Sequence, residues 1–157
     1  MSGGSDAYEQ ELERLGLPLP EAGAFNGTYI RPVQFERILF MPGHSGWRLH
    51  NHRGKLGRDL TVEQGQEAAK YAVVACLAAV KRHIDDLDNV DRILKVTGFI
   101  NATEDFSEGG EVLNGASEVL YSLWGDRGQH ARSAICVASL NDGWPLEIEV
   151  ILAVKQA

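Results

Sequence analysis

Three charges in this chain invite a chemical reading: Arg132, Glu147 and Glu149, which lie in the two strand-like runs of the stretch HARSAICVASLNDGWPLEIEVILAV at 130–154. A guanidinium can grip a carboxylate through two parallel N–H bonds, and a glutamate nearby can move a proton or position a water. Two readings stay open at this level. The charges form either a cross-strand salt bridge at a subunit contact or a small ligand site. Period decides which way the acids point. Leu146, Ile148, Val150, Leu152 and Val154 alternate with Glu147, Glu149, Ile151 and Ala153, so the first set fills one strand face and the acids share the other. Residues 134–140 are also strand-like, and NDGWP supplies turn residues between the two runs. A hairpin is therefore expected, with Arg132 and Glu147 on one sheet face.

Other residues of chemical type carry weaker signals. His44, His50 and His52 lie in a long loop rich in glycine, but no acid or cysteine stands at a ligand spacing, and zinc needs three or four converging ligands. No metal is expected, and the histidines read as solvated loop residues. GKLGRDL lacks phosphate-loop spacing, so its glycines are assigned to turns. Ser133 and His130 flank Arg132 without the strand-to-helix elbow of a serine nucleophile.

Charge and length narrow the function classes. A formal charge of -7 over 157 residues, with no basic stripe, opposes a surface built to neutralise nucleic-acid phosphates. No apolar run reaches the length of a membrane helix, and MSGGSDAYEQ lacks the basic and apolar regions of a signal peptide, so a cytoplasmic protein is expected. Cys76 and Cys136 sit in apolar periodic segments and read as buried thiols.

The elements that must position these residues follow from period and caps. A short helix over AYEQELERL stops at Gly16, giving an N-terminal extension over 1–25 ahead of a single domain over 26–157. Two short strands flank QFER. Thr61 and Gln64 form a capping box ahead of a long helix whose stripe is Ala69, Val73, Cys76, Val80 and Ile84. DRILKVTGFINAT reads as a strand, and GEVLNGASEVLYSLWG as a second long helix ending at Gly125. This order implies an α+β sandwich with two long helices on one sheet face. The other face, bearing Glu147 and Glu149, has no helix left to cover it and is expected to pack against another subunit.

GKLGRDLTVEQGQEAA, VLNGASEVL and HARSAICVASL, in that order, resemble a branch of the YjgF/RidA family, the reactive intermediate deaminases also labelled endoribonuclease L-PSP; the resemblance covers about residues 26–154. It implies a chorismate-mutase-like α+β sandwich, a homotrimer, and ligand sites in the clefts between subunits. It implies hydrolysis of enamine and imine intermediates, such as 2-aminoacrylate and 2-iminopropanoate, to 2-keto acids and ammonia without a cofactor. On this resemblance Arg132 grips the substrate carboxylate and Glu147 positions water or relays a proton. Tyr29 and Asn114 fill two further ligand-binding positions. Pro42, Gly43 and His44 stand where the deaminase branch has Ser-Gly-Gln, so a ligand-contacting hydroxyl is replaced, and Ala134 stands where a cysteine is frequent. Gly43, His44, Trp47 and the LHNHR segment are expected to shape the cleft mouth. A non-catalytic trimer that binds small carboxylates or keto acids is the alternative. The endoribonuclease label is opposed by the acidic charge, and chorismate mutase shares only the fold.

Overall fold

Leu146, Ile148, Val150 and Leu152 are sealed from water, and the rest of the chain is arranged to seal them. The computed structural model describes residues 6–23 and 31–156. A helix α1 (Asp6–Arg14) is followed by the short strands β1 (Val33–Phe35) and β2 (Ile38–Phe40), then by the long helix α2 (Val62–Ile84). Strand β3 (Val90–Asn101), helix α3 (Gly109–Trp124) and strands β4 (Ala131–Val137) and β5 (Leu146–Val154) complete the order. The strands form one mixed sheet in the order β1-β2-β5-β3-β4.

Both long helices cover the apolar face of that sheet. Thr61 accepts from the Gln64 N–H at 3.3 Å and its own N–H donates to the Gln64 side chain at 2.9 Å, the reciprocal capping box that starts α2. Ala68, Ala69, Ala72, Val73, Cys76 and Val80 then run sealed along the core side. Helix α3 approaches so closely that a side chain at Gly115 would sit 2.2 Å from the Gln66 carbonyl oxygen, and only glycine fits that crossing. Leu12 of α1 is buried in the same core, and Tyr8 packs on Trp124 with ring centroids 5.2 Å apart. No helix among the described residues is long and apolar enough to cross a membrane.

Strands β4 and β5 are not a hairpin. β4 pairs parallel with one edge of β3 and β5 pairs antiparallel with the other, so β3 separates them. The reason is α3: a helix between strands returns the chain parallel to where it left, delivering β4 to the free edge of β3. The turn residues at 141–145 then carry the chain over the end of β3, where Asn101 N–H donates to the Pro145 carbonyl at 2.8 Å and Ala102 N–H to the Val137 carbonyl at 3.3 Å. Lys55, from GKLGRDL, locks this end: its ammonium donates to Asn101 Oδ1 at 2.8 Å and to the carbonyls of Ala102 and Ala138. Cys76 is buried as expected, but Cys136 is exposed, because the edge strand β4 is only partly covered by α3.

Candidate functional site

Paired residues in a sheet share a face, so the register assigns sides. Arg132 is level with Val96, and Val96 with Val150, placing Arg132 on the helix-covered face. Glu147 is level with Phe99, and Glu149 with Thr97, on the bare face. The expected meeting of Arg132 and Glu147 on one face is thus overturned. They sit on opposite sides of the sheet, on strands that do not touch.

Arg132 is held by α3. Its Nη1 donates to Asn114 Oδ1 at 2.8 Å and to Ser117 Oγ at 3.3 Å. Gly110, one turn earlier on the same helix stripe, leaves Nη2 in open space, where an added Cβ would stand 3.6 Å away. The Nε–Nη2 edge makes no hydrogen bond among the described residues, so the guanidinium is oriented on one side and free to fork onto a carboxylate on the other. Ser117, Tyr121, Gly128, Gln129, His130 and Arg132 line a cavity of about 370 Å³. His130 Nδ1 lies 2.7 Å from the Gly128 carbonyl and its Nε2 lies 3.0 Å from Ser117 Oγ. Of this cluster, the sequence pointed to Arg132 and Asn114 and set His130 aside. Ser117 was missed, although Gly110, Asn114, Ser117 and Tyr121 follow the helical spacing that marks one face.

Glu147 is half-buried and carries no hydrogen bond or ion pair among the described residues. Burial raises its pKa above the ordinary carboxylate value, and the charge of Glu149 two residues on adds to the rise. Gly43 lies directly against it. A methyl group there would meet Glu147 Oε1 at 1.9 Å, so the carboxylate occupies the space a side chain would fill.

The loop that follows does not reach Arg132. His44 bridges to Ile148 of β5 and its Nδ1 donates to the Pro42 carbonyl at 2.7 Å. Burial lowers the His44 pKa, with that hydrogen bond opposing. Trp47 stacks on Trp144 at 6.4 Å with Arg48 over its ring, and these residues line a second cavity of about 370 Å³ with Gly43, His44 and Ala79. His50 is buried, donates to the Ser45 carbonyl at 3.2 Å and packs on Tyr71 of α2, while His52 bonds Glu67 of α2 at 2.7 Å. The LHNHR segment is therefore pinned to α2 within its own chain, and these histidines are not simply solvated. Among the described residues no three His, Cys, Asp or Glu side chains converge to hold a metal. Tyr29 lies outside the described residues.

A mixed five-stranded sheet, carrying two long helices on one side and no helix among the described residues on the other, is a YjgF/RidA-type fold. The chain belongs to the family described as Endoribonuclease L-PSP, which matches residues 21–154. It is 35% identical over 147 residues to Protein TCP17 of Trypanosoma cruzi, covering 90% of each chain. The crystal structure of a protein of unknown function from Agrobacterium tumefaciens is similar with a TM-score of 0.89 and 32% identity, over 96% of this chain and 94% of that one. A candidate endoribonuclease from Shewanella oneidensis is similar at TM-score 0.86 and 25% identity, over 94% of this chain and 99% of that one.

Proposed function

We propose that this chain assembles as a homotrimer and hydrolyses small enamine and imine carboxylates to 2-keto acids and ammonia in clefts between subunits. One observation carries the proposal: the oriented arginine and the uncommitted acid lie on opposite sheet faces, so a ligand touching both must lie between two copies of the chain. The bare face supports assembly. Val33, Phe35, Phe40 and Ile135 are 63%, 69%, 44% and 45% exposed, and the register puts all four on that one side. So many apolar side chains on one face are what a subunit contact would cover.

In such a cleft Arg132 grips the substrate carboxylate through its free edge, and Asn114 keeps the guanidinium plane aimed. Glu147 takes a proton from the water that attacks the imine carbon. The C–N bond then breaks as the nitrogen gains protons and leaves as ammonia, while the carbon keeps the water oxygen as a ketone. This consumes only water, so no cofactor is required. Burial raises the pKa of Glu147, the direction that makes its carboxylate a stronger base toward that water. Gly43 makes room for that carboxylate, and His44 and Trp47 line the adjoining cavity. Tyr29 is assigned to the ligand wall by resemblance.

A binding-only trimer is the second reading, and Pro42 favours it: no hydroxyl stands there, and its carbonyl is already taken by His44. Ammonia release from freshly generated 2-aminoacrylate separates the two. Protein that binds 2-keto acids at Arg132 but releases no ammonia above the uncatalysed rate supports the second.

A further inference from the structure

The cavity beside Trp47 lies within one chain, between the loop after β2, the 20–23 segment and α2, and neither Arg132 nor Glu147 lines it. Sequence makes the space. Ala75, Ala78 and Ala79 fall three and four residues apart on one face of α2, so methyl groups stand where longer side chains would fill it. The walls are fixed. Gly46 runs so close to α2 that an added Cβ would stand 2.5 Å from the Tyr71 backbone carbon, and Trp47 stacks on Trp144 with Arg48 4.9 Å over its ring. A site already built in this way loses little freedom when it is filled. Its volume of about 370 Å³ falls within the range of small-molecule sites, roughly 300–1,000 Å³.

Its polar groups say what would fill it. The Pro42 carbonyl can only accept, so the bond of 2.7 Å to His44 requires a proton on Nδ1. Burial favours the neutral ring, with the Pro42 bond opposing. Nε2 is then a bare acceptor, and it makes no hydrogen bond among the described residues. Arg48 and Glu21 line the cavity with opposite charges, so it holds no net charge to attract an ion. We propose that this cavity binds small, neutral, flat aromatic molecules that carry one N–H or O–H group, indoles and phenols, with that group donating to His44 Nε2. The tryptophan rings and the alanine methyls contact the ring, and the bare nitrogen sets the choice among rings of one shape. The site uses neither Arg132 nor Glu147, so it stands apart from the deaminase and binding-only readings alike.

The test titrates the full chain with indole and with benzofuran, which has the same flat shape and an oxygen in place of the N–H. Wild type should bind indole about tenfold more tightly, the worth of one hydrogen bond made or missing. His44→Phe keeps a flat ring without the acceptor, and should bring the two affinities to within about twofold of each other. Ala75→Leu grows a side chain into the space and should abolish binding of both. Arg132→Ala should bind indole as the parent does. Equal affinity of the parent for the two ligands, or no indole binding at millimolar concentration, overturns the proposal without any variant having to fold. So does ¹⁵N NMR of the parent showing the His44 proton on Nε2 at about pH 7.5, or a Nε2 resonance that indole leaves unmoved. Indole binding that survives Ala75→Leu but is lost in Arg132→Ala would place the ligand in the intersubunit cleft and overturn it too.

Discussion

Arg132 is level with Val96 and Glu147 with Phe99 on the two edges of one strand, so the guanidinium and the carboxylate look out from opposite sides of the sheet. The separation turns a question of chemistry into one of assembly. A charge pair within the chain is ruled out, and on the proposed reading a ligand bridges two copies.

Assembly is the first expectation. Phe40, level with Ile151 on the bare face, is 44% exposed, and Phe40→Glu places a charge where a second copy would pack. Light scattering at micromolar concentration should give a trimer mass for the parent and a monomer mass for the variant. A monomeric parent would contradict the account.

Glu147→Gln should leave binding of 2-keto acids nearly intact and lower turnover by about 10²- to 10⁴-fold, the usual loss of an acid or base. The acid limb of the parent's pH profile should follow the raised pKa of Glu147. Glu149→Gln removes the second cause of that rise and should move the limb to lower pH.

The same shift has a stability consequence. With the folded pKa of Glu147 above its ordinary value of 4.5, the folded chain holds a proton that the unfolded chain has released, and stability falls as pH rises through that window. Glu147→Gln should therefore be more stable than the parent at neutral pH. The gain should shrink as pH drops below 4.5, measured by denaturant midpoints at both ends. A destabilised Gln variant at pH 7.5 would mean that the acid has a partner it needs.

Much of this fold could be read from the chain, and the reason is local. The alternation over residues 146–154 fixed which face is apolar, and Thr61 with Gln64 marked the start of α2. Neither the β4–β5 relationship nor the meeting of Ser117 with His130 was legible. A strand's period tells which way each side chain points but not which strand lies beside it, and α3 with its crossover decided that. Cys136 misled for the same reason: apolar spacing identifies a face, not whether the edge strand carrying it is covered. His50 looked like a free loop residue because only the folded chain brings Tyr71 and the Ser45 carbonyl to it.

His50→Ala should consequently act on stability rather than chemistry. Losing a buried ring and its hydrogen bonds should cost about 1–3 kcal/mol in denaturant unfolding while KM and kcat at permissive temperature stay close to those of the parent. A large fall in kcat in a stable variant would return the loop to the active site.

The most direct test mixes two dead proteins. Arg132→Ala and Glu147→Gln should each have little activity alone as pure assemblies. Refolded together in equal amounts, they should regain roughly a quarter of the parental ammonia release from 2-aminoacrylate, since random association pairs an intact arginine with an intact glutamate at about one cleft in four. Recovery at that level would mean that each site draws its arginine and its acid from different copies of the chain. A mixture no more active than the average of its components, with mixed assemblies demonstrated by mass, would contradict the account.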